Sequence, residues 1–380
     1  MLPVPGELLV PRVVPPAPPP PPPPVTVPVA WLVEQGAPVL TYRVMRELLR
    51  REPTSSSWAL MPYASRQGWY LLGQQDGDGT WNDRMLATPS GTALAGVGTI
   101  PAYRRLLELG WNPDVPALAH TKRLLFRLLA QDDDPTVLAE LRPTGDDEEL
   151  VLRGRLILRE AAAAALAHAG YEADPRLRGA ARRLIDRVYA FLRSPLAQKP
   201  WVRLGNQHVL HADAAPPSFH LLQMLAAMPQ FRSEHSEFME RLYTYLSEAW
   251  PRQAIVQQVG GHIVEQEHLV PGDFLATRGD LDGDMPSALA WLELVARLGF
   301  LGRHEGWQRL LDRTLDDRDR RGVWTPPRSV VMPATIPAWS WPALPLTDGA
   351  TTGDPAALSA DVTFRLALIA QYAGRTLEFV

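Results

Sequence analysis

Helix-period hydrophobic segments recur along this chain at a common phase, and that repeat limits the possible folds more than any other feature. VLTYRVMRELLRRE (39–52) puts Leu40, Val44, Met45 and Leu48 on one face, with charged residues opposite. Comparable segments follow at 57–75, 92–110, 115–131, 148–170, 175–192, 218–228, 237–250, 286–299, 305–317 and 357–374. Tight junctions fall at Leu109-Gly110-Trp111, Ala169-Gly170-Tyr171, Met228-Pro229 and Leu298-Gly299-Phe300, spaced by about 60, 60 and 70 residues. Such a period argues for stacked helical hairpins, each burying its apolar face only against its neighbours. The expected fold is all-α, an α/α toroid of about six hairpins closing into a barrel. An open solenoid is the alternative. No alternating strand pattern stands out anywhere.

Residues 1–28 are chain of another kind. Thirteen of the 38 prolines lie there, and the unbroken run Pro18–Pro24 is expected to adopt polyproline II. The expected division is a proline-rich extended arm, residues 1–28, followed by one toroid domain, residues 29–380. Leu8, Leu9, Val10, Val13 and Val14 precede the run, where a free linker would carry Ser, Gly and charge. Counting helices by phase gives six of one type, starting near 31, 92, 148, 213, 286 and 357, and five of the other. One outer groove would then lack a covering helix. The arm is expected to pack along the ring there, or along a protein partner.

Composition removes several function classes. The net charge of −4 is unlike the concentrated basic face of a nucleic-acid binder. Without cysteine there is no disulfide, no thiol nucleophile and no thiolate metal site. No stretch approaches the ~18 consecutive apolar residues of a membrane span. The start has no basic region followed by an apolar run, so a cytoplasmic location is expected. No P-loop or G-x-S-x-G elbow is present.

One loop is recognisable. Gln74-Gln75-Asp76-Gly77-Asp78-Gly79-Thr80-Trp81 is similar to the Q-x-x-D-G-x-W repeats of squalene–hopene-type terpene cyclases. Related loops occur in the wider superfamily of α/α toroids shared with protein prenyltransferase β subunits. Arg318-Asp319-Arg320-Arg321-Gly322-Val323-Trp324 looks like a degenerate second copy, and residues 37–49 resemble the first helix of small bacterial terpenoid-cyclase-like proteins. The physics of such a loop is structural: Asp-Gly supplies the turn, Gln satisfies helix-end backbone groups, and Trp covers the joint.

The resemblance implies a site as well. Asp280-Leu281-Asp282-Gly283-Asp284 looks like the D-x-D-D motif by which class II terpene cyclases protonate an alkene. By that correspondence Asp282 is the acid and Asp280 its orienting neighbour, with Asp284 one place late. Crowded carboxylates in a dry cavity raise one another's pKa and make a proton available. The other reading of these residues is Asp284 as a helix cap, with Asp280 and Asp282 solvated. Trp291, Trp339, Trp341 and Tyr42 are the candidate substrate-binding residues, since ring faces stabilise cations. Trp69, Tyr70 and Phe219 are further aromatics of the same kind. His208, His211 and Asp213 are too few and too loosely spaced for a metal site, so neither metal nor cofactor is expected.

Two functions follow. One is an isoprenoid cyclase started by Asp protonation, acting on an isoprenoid or other apolar small molecule. The alternative is a non-catalytic binding or scaffold protein that holds a partner or apolar ligand with the toroid surface and proline arm. A carbohydrate-active barrel, which needs facing carboxylates about 5–9 Å apart, ranks third.

Overall fold

The computed structural model describes residues 22–35, 37–53, 55–87, 94, 96–130, 148–205, 207–249, 254–259, 261–275, 285–325, 345–348 and 353–380. The chain is mostly helical, with small sheets. Strand β1 (Val25–Val27) leads into α1 (Val29–Gln35) and α2 (Pro38–Arg43), which runs on as a π turn through Val44–Leu48. The expected helix over 57–75 is broken at Pro62 into α3 (Ser56–Ala59), a 3-10 turn and α4 (Arg66–Gly73). Next come α5 (Thr99–Glu108), α6 (Pro116–Ala130), α7 (Glu148–His168) and α8 (Pro175–Leu192). A β2 (Trp201–Leu204) and β3 (Gln207–Leu210) hairpin precedes α9 (Phe219–Ala226), α10 (Pro229–Glu234) and α11 (Ser236–Leu246). A second hairpin, β4 (Val256–Val259) and β5 (His262–Glu265), comes before α12 (Met285–Arg297) and α13 (Glu305–Asp316). The last elements are α14 (Pro355–Tyr372) and β6 (Leu377–Phe379).

Capping chemistry fixes the helix ends. Asp174 before Pro175 and Asp354 before Pro355 each accept a backbone N–H two residues on, at 2.9 Å. At the far ends the same closing bond recurs four times: Trp111 N to Leu106 O, Tyr171 N to Leu166 O, Phe300 N to Val295 O, and Arg375 N to Ala370 O, at 2.9–3.2 Å. This six-to-one bond leaves the preceding glycine left-handed, as at Gly170 (φ 88°). The expected junction periodicity is therefore a repeated helix stop. Met228-Pro229 differs, because Pro229 starts α10 directly.

Two kinds of helix alternate. Helices α5, α7, α9, α12 and α14 are buried nearly all round over their central turns, as in Ala161–Ala167 of α7 and Ser359–Ala370 of α14. Helices α6, α8, α11 and α13 bury a single stripe. In the buried set α5 packs on α7, α7 on α9, α9 on α12, α12 on α14, and α14 on the π turn after α2. The two ends of the chain meet: β1 pairs in parallel with β6, Val25 opposite Leu377, and α1 packs on α14 and α2.

The six strands among the described residues depart from the all-helical expectation. They are three or four residues long, and β3 meets β4 at a single register, Leu210 opposite Gln257. Buried Gln257 hides the alternation of β4: its Nε2 donates to the carbonyls of His211, Ala212 and Ala214 at 2.9–3.2 Å. A polar residue facing inward to tie down a loop reads from sequence as an outward one. No described helix is long and apolar enough to cross a membrane.

Both recognisable loops adopt one geometry. Asp76 N donates to Thr80 O and Gly79 N to Asp76 O, and Asp319 N to Val323 O and Gly322 N to Asp319 O, all at 2.9 Å. The following tryptophans, Trp81 and Trp324, donate their backbone N–H to Thr99 of α5 and Thr363 of α14, at 3.1 and 3.0 Å. Gln75 Nε2 donates to the Ala117 carbonyl at 3.0 Å and to Thr121 Oγ1 at 3.1 Å, joining this loop to α6. These residues act as stabilisers between hairpins.

Candidate functional site

Helices α5, α7 and α12 end on Glu108, His168 and Arg297, Arg43 stands where α2 passes into its π turn, and all four residues line one cavity of about 120 Å³. Cations at helix C-termini are favoured by the backbone dipole, which suits Arg297 at the end of α12.

The charged end is built from i,i+4 pairs, one on each of four buried elements: Arg43 with Glu47, Arg104 with Glu108, Glu293 with Arg297, and Asp361 with Arg365. Three of them close as ion pairs within their own helix, at 2.5, 2.8 and 3.2 Å. Bonds between helices join them. Glu108, which accepts from Arg105 of its own helix at 2.8 Å, also accepts from Arg365 of α14 at 3.1 Å and stands 3.9 Å from Arg43. Arg297 also reaches Glu47 at 3.6 Å and donates to Tyr372 Oη at 2.8 Å.

Arg104 is the exception. Its Nη1 donates to Gln223 Oε1 at 2.7 Å, its Nε has no hydrogen-bond partner, and no carboxylate among the described residues lies within ion-pair distance. Burial lowers its pKa to about 10 against the opposing pull of Glu108. For Glu47 burial alone would act upward, yet the charge and hydrogen bond of Arg43 outweigh it and hold the carboxyl down to about 2. His168 is exposed and lines the cavity. Enclosure by protein, then the charges of Arg104, Arg297 and Arg43, bring its pKa down to about 3, so the imidazole is neutral at pH 7.

The other end is aromatic. Phe219, Phe274 and Trp291 line the cavity with ring centroids 5.4–6.1 Å apart. Behind them Trp307 donates its indole N–H to the buried Asp273 carboxylate at 2.9 Å. Burial raises the Asp273 pKa, and the Trp291 indole, near the same carboxylate, closes no hydrogen bond.

The structure spreads the sequence candidates widely. Trp291 lines the cavity. Tyr42 does not: its hydroxyl accepts from Arg46 at 2.7 Å, and its ring packs against Gly110. Asp280, Asp282, Asp284, Trp339 and Trp341 lie outside the described residues. Trp69 and Tyr70 are exposed, while Phe219 joins the aromatic wall. His211 Nδ1 accepts from Asp213 N at 3.1 Å, and no cluster of three metal-ligating side chains occurs among the described residues.

Sequence reasoning missed Arg43, Arg104, Glu108, His168, Glu293 and Arg297. A signal was there: opposite charges at i,i+4 recur near the ends of the most apolar helices, where solvated charge has no place.

The site offers an aromatic wall, a neutral imidazole and a guanidinium without a counterion. No family model, no curated protein and no solved structure matches this chain.

Proposed function

We propose that the buried helix set closes into an α/α toroid and that its central cavity binds an apolar small molecule, of which isoprenoids are one class. The aromatic wall of Phe219, Phe274 and Trp291, facing a cavity of about 120 Å³, carries this reading. Closure is supported by Glu108, which bonds to Arg365 of α14 and stands 3.9 Å from Arg43 of α2. The meeting of β1 with β6 supports it too.

The test is uptake of N-phenyl-1-naphthylamine, a neutral apolar fluorophore, by the full chain. One equivalent should bind, and Ala290→Trp, which fills the cavity, should abolish binding without changing the far-UV spectrum. Failure of the folded wild type to take up the probe overturns the reading.

A cyclase is the second reading, with Asp282 as the acid and Asp280 and Asp284 beside it. The chain path favours it: Phe274 and Ser287, on either side of 276–284, both line the cavity. The guanidinium groups weigh against it, because they raise the energy of a carbocation held nearby. Unaltered product formation from an isoprenoid substrate by Asp282→Asn would sink the role of that residue.

A further inference from the structure

Resting on the cavity reading above, we infer that the occupant carries a single carboxylate, seated on Arg104, with its apolar body along Phe219 and Trp291. Arg104 is 5% exposed and lines the cavity. Its neighbours Arg43 and Arg297 each have carboxylates, Glu47, Glu108 and Glu293 among them. Arg104 has the neutral amide oxygen of Gln223 at 2.7 Å and an Nε with no partner at all. A buried cation left in this state is costly, and an anion entering with the ligand relieves that cost.

The number of charges selects the head group. Among the described lining residues three guanidiniums face two carboxylates, and only Arg104 lacks an ion pair. One negative charge satisfies it. A phosphate monoester or diphosphate brings further charge beside Glu108 and Glu293, with no cation left to meet it. The planar guanidinium edge also matches a carboxylate in shape, through two parallel N–H donors. The cavity thus fits an amphiphile with an acidic end and an apolar end.

Decanoate, decanol and decyl phosphate differ only at the head and can each displace N-phenyl-1-naphthylamine from the full chain. Decanoate should bind at least tenfold tighter than decanol and tighter than decyl phosphate. Arg104→Gln should erase the preference for acid over alcohol. Gln223→Glu supplies the missing carboxylate from within. It should erase the same preference and raise the melting temperature of the ligand-free protein, and it serves even where Arg104→Gln fails to fold. Equal affinities for decanoate and decanol in the wild type overturn the head-group assignment and leave the cavity reading standing. Tighter binding of decyl phosphate, or a retained acid preference in Gln223→Glu, overturns it as well. If the fluorophore itself is not taken up, it is the cavity reading that fails.

Discussion

A Cβ added to Gly322 would stand 2.6 Å from the carbonyl oxygen of Thr26. The equivalent position in the first loop, Gly79, meets His120 Cβ at 2.5 Å, on α6. Where the first loop is covered by an amphipathic helix, the second is covered by the segment entering α1. Arg318 Nη1 reinforces this contact by donating to the Thr26 carbonyl at 2.9 Å.

Gly322→Ala should therefore destabilise the protein by about 2 kcal/mol, because φ is 85° and the new methyl meets backbone. Denaturant unfolding measures this, with Gly170→Ala as a control at similar φ in open space. Deleting residues 1–27 removes β1 with buried Val25 and Val27, and should cost about 3 kcal/mol more than deleting residues 1–21. Equal stability of the two truncations would show that this strand covers nothing of consequence.

Trp81 is wholly buried and donates its indole N–H to the Leu71 carbonyl at 2.7 Å. Trp81→Phe should cost about 1–3 kcal/mol, since a buried carbonyl loses its partner. Uptake of the apolar probe by the folded fraction should stay unchanged. A selective loss of uptake would give the loop a role in the site.

Glu108 bonds to Arg105 and Arg365 in the protein interior. Glu108→Gln keeps the shape and removes the charge, and a loss of about 3–5 kcal/mol is expected in urea unfolding. A neutral result would mean that the arginines share their charge among the remaining carboxylates.

Acid should unfold this protein early. Burial, with Arg153 and Arg187 adding to it, lowers His268 to about 4. Burial also takes His220 well below the usual imidazole value. The unfolded chain binds these protons near pH 6.5 and the folded chain only far lower, so their stabilisation is complete above about pH 6.5 and is lost as pH falls toward 4 and below. Glu47, held at about 2, adds a loss of the same sign below about pH 4.5. Urea midpoints at pH 7.5 and 5.5 check this. His268→Gln should flatten the difference, and a wild-type midpoint independent of pH contradicts it.

Hydropathy periodicity and capping residues determined the helices, because both act within one turn of chain: Asp-Pro starts at 174 and 354, and glycine stops at 110, 170, 299 and 374. The two Asp-x-x-Gly-x-Trp loops were legible for the same reason, each turn being closed by its own backbone. Three matters needed the tertiary structure. Gln257 and Asp273 are polar groups whose inward direction is set by partners far away in sequence, the 211–214 loop and Trp307. The pairing of β1 with β6 joins the two ends of the described chain, a contact no local pattern encodes. Arg43, Arg104 and Arg297 look alike as letters. Arg43 and Arg297 find carboxylates four residues away on their own helices, whereas Arg104, at the same spacing from Glu108, faces Gln223, because Glu108 is taken up by Arg105 and by Arg365 of α14, an approach between helices that no spacing within one encodes.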